Sequence, residues 1–385
     1  MFIKELGINF FGCESNKKTQ LNRIKILQKN IKNFKIFLII AGTNTSQITG
    51  ISAAGINAKS RRITALADAE FLLNGPSKDH KYKLPLLNAG VTPALISYVC
   101  SKLINVVPVV VPLGIGVKPY FNHLAIEDKD LGPSNCLTTG KSMTKERVLD
   151  LYERGLAIGK SSKQPILISE SVPGGTTTAQ AVMEAFGLQV SNLVGSSLFK
   201  APRDLRRKVV QKGLLNANLK TDFDSFEVLL SVGDPFQAFS MGLLIGARLA
   251  NQTVILSGGS QMLAVIVLAL EFLGAKNRND FMEDVFIATT GWLVKDNSLN
   301  DLLNLINEKY DINLLGLASP LNFKSSICKE LKDYEFGHVK EGVGAGGISI
   351  LAFLNGFENN EIVSLCQQNL EIMKGLGQIS LKKDC

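Results

Sequence analysis

Two glutamates in this 385-residue chain stand at glycine-rich turns that lead into apolar, helix-compatible segments. Glu341 opens Glu341-Gly342-Val343-Gly344-Ala345-Gly346-Gly347, which continues into the apolar run Ile348 to Leu354. Glu170 opens Glu170-Ser171-Val172-Pro173-Gly174-Gly175-Thr176-Thr177-Thr178, followed by Ala179, Val182, Met183 and Phe186 at helical spacing. Taken alone, Glu341 reads first as a solvent-facing loop acid. In a partly apolar pocket a carboxylate is also suited to general-base work. Glycines lack Cβ atoms, so their backbone N–H groups can approach a ligand closely, and a helix N-terminus favours anions. Gly174, Gly175, Thr176 and Thr177 therefore make a phosphate cradle, with a tight turn and threonine caps as the competing reading. Two further junctions share this character: Gly258-Gly259-Ser260-Gln261 before the apolar run Met262 to Leu270, and Ala41-Gly42-Thr43-Asn44 with Gly50-Ile51-Ser52-Ala53. At the former, close helix–sheet packing is a strong rival account.

Gly342 to Gly347 also satisfies the dinucleotide pattern G-x-G-x-x-G. That reading needs a buried strand before the glycines and a second nucleotide-binding half after them. Tyr334 to Lys340 is too polar for such a strand, and only a short segment follows before Cys385.

The elements that must position these residues are legible as alternation. Short runs rich in branched apolar residues (Ile36 to Ile40, Val106 to Val117, Pro165 to Ser169, Thr253 to Ser257) are separated by helical patterns. This predicts a three-layer, Rossmann-like α/β fold: a mainly parallel sheet with helices on both faces. Ligands in such sheets bind beyond the carboxyl ends of the strands, where the glycine-rich junctions fall. Residues 36–357 are expected to form the nucleotide-binding domain. The chain ends, 1–35 and 358–385, are expected to pack as a small helical lobe. Apolar helices at Met241 to Leu249 and Met262 to Leu270 exceed what one sheet needs and point to a symmetric homodimer.

A hydrophobic content of 45% supports a large core and argues against disorder. Met1 to Glu5 lacks an apolar leader run, and the longest apolar stretches are too short to span a bilayer, so a cytoplasmic protein without membrane association is expected. The six cysteines and three histidines show no metal-site spacing, and neither a metal nor another cofactor is expected. The net charge of +8 suits an anionic partner, with its densest run at Lys200 to Lys208. No helix-turn-helix, zinc-finger or aromatic RNA motif accompanies it, which favours a phosphate-bearing metabolite over nucleic acid. Phe281, Phe286 and Trp292 read as core, and Asp222-Phe223-Asp224 as a surface turn rather than the acidic pair of a phosphoribosyl diphosphate site.

Taken in order, the junctions resemble the nicotinate-nucleotide:dimethylbenzimidazole phosphoribosyltransferase family. Its A-G-D-H-G and G-V-S-A segments are similar to Ala41 to Asn44 and Gly50 to Ala53, and its G-x-A-M-T-R-E to Gly140 to Glu146. Its G-E-M-G-I-G-N-T-T resembles Ser169 to Thr177, and its closing L-G-E-G-T-G-A resembles Lys340 to Ala345. The match covers most of the chain and looks like a divergent archaeal and cyanobacterial branch. The resemblance implies transfer of the ribose phosphate of nicotinate mononucleotide to a lower-ligand aromatic base in cobamide biosynthesis. It makes Glu341 the general base and Glu170 a contact to ribose or departing nicotinate. Gly174, Gly175, Thr176 and Thr177 become the 5′-phosphate cradle, Ser52 an acceptor-pocket residue, and Gly258, Ser260, Gly342 and Gly344 lining of the cleft. The family is dimeric. Two departures bear on the acceptor and the phosphate contacts: Thr43-Asn44 replaces Asp-His, and Gly195 to Lys200 replaces G-R-G-T-G. A protein that kept the nucleotide fold but lost turnover is the alternative.

Overall fold

The computed structural model describes residues 7–12, 22–25, 27–28, 31–52, 54–55, 57–85, 87, 89–195, 201–276 and 278–379. Seven strands, β1 (Asn9–Phe11), β2 (Lys35–Ala41), β3 (Val109–Leu113), β4 (Ile166–Ser171), β5 (Val254–Ser257), β6 (Val285–Thr290) and β7 (Leu315–Ser319), form one sheet in the order β1-β7-β6-β5-β4-β2-β3. All neighbours are parallel except β1, which pairs antiparallel with β7. Buried on both faces, the inner strands need apolar side chains pointing each way, which is why they read as continuous branched runs. In β2, Phe37, Ile39 and Ala41 enter the core on one side, whereas Ile36, Leu38 and Ile40 enter the core on the other.

Helices cover both faces, as the alternation predicts. Ala58–Asn74, Ala94–Leu103, Ala345–Leu354 and Asn359–Gly375 supply one core. Lys145–Ser161, Gly175–Ala185, Pro235–Leu249, Ser260–Leu273 and Ser298–Tyr310 supply the other. In that second layer, helices Lys145–Ser161 and Pro235–Leu249 approach through four glycines. A Cβ on Gly155 would lie 2.2 Å from the Phe239 carbonyl oxygen, and one on Gly242 would lie 2.1 Å from that of Tyr152. Gly159 and Gly246 are equally tight, so each backbone packs into a notch in the other.

Two expectations change here. Of the stretches Met241 to Leu249 and Met262 to Leu270, residues 241–247 and 262–270 are buried within the subunit by the sheet and neighbouring helices, and on these two helices only Leu249 and Phe272 are large exposed apolar side chains, which make no continuous face. Asn9–Phe11, grouped above with a helical lobe, is instead an edge strand that satisfies the backbone groups of β7. The C-terminal helix Asn359–Gly375 lies against Ala94–Leu103. Residues 22–25 and 27–28 are helical, while 1–6, 13–21 and 380–385 of the expected lobe fall outside the described residues. At the opposite edge, β3 carries Pro112, which has no N–H to offer a further strand.

Because the clash at the glycine crossing is with backbone, it has no cheap relief. Gly242→Ala is expected to cost about 1–3 kcal/mol of stability, read as a lower denaturation midpoint at unchanged slope.

Candidate active site

Chain direction across the sheet reverses at β2: the chain leaves it for β3 on one side and returns to β4 on the other. Loops after β2 and β4 therefore diverge, leaving a crevice at the switch point. A cleft of about 680 Å³ lies there. Its walls come from the loop after β2 (Gln47, Thr49, Gly50, Ser52, Ala54 and Gly55), one side of helix Ala58–Asn74 (Arg61, Thr64, Asp68), the β4 end (Glu170 to Gly174), the β5 end (Gly259 to Gln261) and the segment His338 to Val343.

Glu341 is fixed by four hydrogen bonds. Its Oε2 accepts from the Thr289 hydroxyl at 2.9 Å and the Thr290 N–H at 2.7 Å. Its Oε1 accepts from the N–H groups of Gly342 and Gly346, both at 3.1 Å, so the carboxylate also caps helix Ala345–Leu354. The loop reaches this geometry through unusual backbone. Val339, Lys340 and Val343 have φ of 66°, 60° and 54°, a region costly for β-branched residues, and Gly344 follows at 77°. The Val343 N–H then donates to the Glu170 carbonyl oxygen at 3.0 Å, stitching the two glutamate segments together.

Burial raises the pKa of the Glu341 carboxyl above its ordinary value; the four hydrogen bonds oppose that rise without cancelling it. Glu170, 8% exposed, is pushed up to about 8 by burial, relieved by a hydrogen bond from the Val172 N–H at 2.8 Å and raised again by the charge of Glu341. Asp68 is pushed up to about 6 by burial; its oxygens accept from Thr92 at 2.8 Å and Ser171 at 2.9 Å. Asp234, beneath the cleft, is also pushed up to about 6 by burial, while capping helix Pro235–Leu249 and facing the Thr178 hydroxyl at 2.5 Å. Carboxyls so desolvated can hold or exchange a proton near neutrality.

The cleft brings together Glu341, Glu170, Gly174, Thr176, Ser52, Ser260 and Gly342 from the sequence-predicted set. Gly175, Thr177, Gly258 and Gly344 stand outside its walls. Gly175 starts helix Gly175–Ala185, and a Cβ there would meet the Gln261 Oε1 at 1.9 Å. Thr177 is buried in the first turn of that helix, and Gly258 lies against Met262. Gly344 packs on Ser169 and accepts from the Ser257 hydroxyl. These residues are small or buried because strand and helix meet closely there. Thr144, in the segment Gly140 to Glu146, caps helix Lys145–Ser161. Residues 196–200 of the compared glycine loop, and Ala53, lie outside the described residues. Phe286 and Trp292 are core, as read. Asp68 and Arg61 were not anticipated. Seven positions apart on helix Ala58–Asn74 they share one face, a spacing visible in sequence, but nothing there marks that face as lining a cleft.

The phosphoribosyltransferase family model matches residues 27–273, well over half of the chain. The chain belongs to that family. A UPF0284 protein of Prochlorococcus marinus strain MIT 9312 is 89% identical over 385 residues, covering 100% of both chains. A UPF0284 protein of Crocosphaera subtropica is 36% identical over 342 residues, covering 85% of this chain and 90% of its own. Among solved structures, nicotinate-nucleotide-dimethylbenzimidazole phosphoribosyltransferase of Thermus thermophilus aligns with a TM-score of 0.54 and 17% identity over 90% of each chain. At that identity the likeness is one of fold. No helix among the described residues of this chain is long and apolar enough to cross a membrane.

The raised carboxyls set how stability changes with pH. A carboxyl whose pKa is higher folded than unfolded binds its proton more tightly when folded. Its contribution is therefore full below the unfolded value and is lost as pH rises through the folded one. With unfolded carboxyls at about 4, Asp68 and Asp234 near 6 and Glu170 near 8, stability should fall from about pH 4 to about pH 8. Glu170→Gln should flatten the upper part of that fall and raise stability at about pH 8.5 by about 1–2 kcal/mol. Denaturant midpoints across pH read it; an unchanged profile would show that Glu170 is not the titrating group.

Proposed function

We propose that this protein moves the ribose phosphate of nicotinate mononucleotide onto an aromatic, nitrogen-bearing lower-ligand base, releasing nicotinate, with Glu341 as general base. The observation that carries the reading is the pairing of Glu341 and Glu170, two desolvated carboxyls lining one cleft, whose backbone segments are joined by the Val343 N–H on the Glu170 main-chain carbonyl oxygen. The family match and the shared fold support it.

In the proposed step an azole nitrogen attacks C1′ of the donor and forms the new C–N bond with inversion. The bond to the pyridinium nitrogen breaks, and its electron pair stays on nicotinate, which leaves with a neutral ring. The proton on the azole's other nitrogen passes to the Glu341 carboxylate. That carboxylate already accepts four hydrogen bonds, and of its donors only the Thr289 hydroxyl can turn away without moving backbone. Thr289 is thus the group whose rotation frees Oε2 for the proton. Glu170, kept protonated at neutral pH by burial, adds no second negative charge beside it and offers a donor toward the ribose or the departing nicotinate. Gly174 and Thr176 lie at the start of helix Gly175–Ala185, whose positive end suits the 5′-phosphate. Ser52, across the cleft in the loop after β2, is assigned to the acceptor side. The homodimer implied by the family resemblance is kept in this proposal, on surfaces other than 241–249 and 262–270.

Purified protein incubated with nicotinate mononucleotide and a panel of bases should release nicotinate and yield an α-ribosyl phosphate of one base, identified by mass. Donor binding with no nicotinate release from any base would instead favour a nucleotide-binding protein without turnover. Glu341→Gln should lower turnover by a factor on the order of 10² to 10⁴ while donor affinity changes little. Because the Gln amide nitrogen would face N–H donors, the variant should also lose about 1–3 kcal/mol of stability. Wild-type turnover in this variant would leave Glu341 as a structural cap.

A further inference from the structure

Several buried or half-buried arginines in this chain are held by protein partners away from the cleft. Arg147 pairs with Glu127 at 2.6 Å, and Arg248 with Asp284. Arg23 donates to four carbonyl oxygens. Arg206 donates from both terminal nitrogens to the carbonyls of Gly195 and Val194, leaves its buried Nε without a partner among the described residues, and does not line the cleft. Arg61 differs. It is 5% exposed, and that remaining surface lies on the cleft wall. Its Nε donates to the Ser46 carbonyl oxygen at 2.6 Å and its Nη1 to that of Gly55 at 3.2 Å. Among the described residues no carboxylate comes within ion-pair distance, and Nη2 has no partner. A guanidinium carries five donors and keeps its charge under all ordinary conditions. Burying one without an anion is costly, and the two carbonyls hold its plane fixed without neutralising it.

Its place in the cleft indicates what completes it. Ser46, whose carbonyl orients Arg61, sits directly on the turn that starts helix Gly175–Ala185: a Cβ on Gly174 would lie 2.9 Å from the Ser46 nitrogen. The fixed guanidinium and the positive end of the helix are therefore neighbours. Asp68 lies two turns further along the same side of helix Ala58–Asn74, bonded to Ser171 beside Glu170. The cleft is cationic toward Arg61 and carboxyl-lined toward Asp68, Glu170 and Glu341.

We infer that Arg61 is the oxyanion-binding side chain of the cleft, taking the 5′-phosphate of the donor nucleotide by way of its unpartnered Nη2. The identity of the donor rests on the function proposed above; the oxyanion site does not. A planar fork held by two carbonyls is preorganised for a tetrahedral or planar oxyanion, and charge-assisted hydrogen bonds of this kind are among the stronger ones.

Titration calorimetry of wild type and Arg61→Gln against four probes tests the inference: nicotinate mononucleotide, nicotinate riboside lacking the phosphate, nicotinamide mononucleotide lacking the carboxylate, and inorganic phosphate. The expected result is at least a tenfold loss for both mononucleotides and for phosphate, with riboside affinity kept. The kept riboside affinity also shows that the variant is folded. Loss confined to nicotinate mononucleotide and the riboside would keep Arg61 as an oxyanion site but assign it to the ring carboxylate. Equal loss for every probe, or no loss for any, overturns the inference. If Arg61→Gln does not fold, Arg61→Lys is measured instead. It keeps a point charge without the fork, so the ratio of mononucleotide to riboside affinity should fall at least threefold, and an unchanged ratio overturns the inference. Phosphate bound through Arg61 with no donor bound would retain the oxyanion site and defeat the proposed substrate. Wild-type protein that binds neither phosphate nor any donor defeats both.

Discussion

The four hydrogen bonds on the Glu341 carboxylate are the fastening on which the cleft's geometry depends. They come from the end of β6, from the glycine beside Glu341 and from the first turn of helix Ala345–Leu354. One desolvated group thus joins a strand end, a helix start and the intervening loop. The backbone conformations at Val339, Lys340 and Val343 are unfavourable in isolation and persist because these bonds, with the Val343 N–H on the Glu170 carbonyl, over-determine the loop. The same group that offers proton chemistry also holds its own wall in place, so structural and chemical roles are not separable at this residue.

The carboxyls on the floor of the cleft act on one another. Glu170 feels both Glu341 and Asp234, and the low permittivity around them makes each one's protonation depend on its neighbours. They titrate as a set, and a macroscopic pKa from any pH profile belongs to that set. A bound cation would draw protons off the group and a bound anion would hold them on, so occupancy of the cleft and its charge state are linked.

Much of this was legible in the sequence, for identifiable reasons. The runs at 36–40, 165–169 and 253–257 fall within β2, β4 and β5, to within a residue at their edges, because strands buried on both faces must be continuously apolar. β7, with Gly316 and Ala318 among its five residues, and the three-residue β1 carry no such signature; their pairing is decided by the rest of the sheet. Residues of the glycine-rich junctions fall at the strand ends where the cleft opens. They were less informative residue by residue, because glycine serves close packing at Gly258 and Gly344 as readily as it serves a ligand. Arg61 and Asp68 were invisible for the converse reason: polar residues on a helix ordinarily face water. Only the fold of the loop after β2 over that helix encloses them.

The two ends of the sheet meet water differently from its centre. On one side the three residues of β1 run against β7 in the opposite sense; on the other, β3 presents a proline where a further strand would need a donor. A parallel sheet of this width would otherwise offer a ready template for stacking between molecules. Among the described residues, the short reversed strand and the proline leave little continuous edge to recruit a neighbouring sheet, so the strongly apolar interior is closed off at both sides of the sheet.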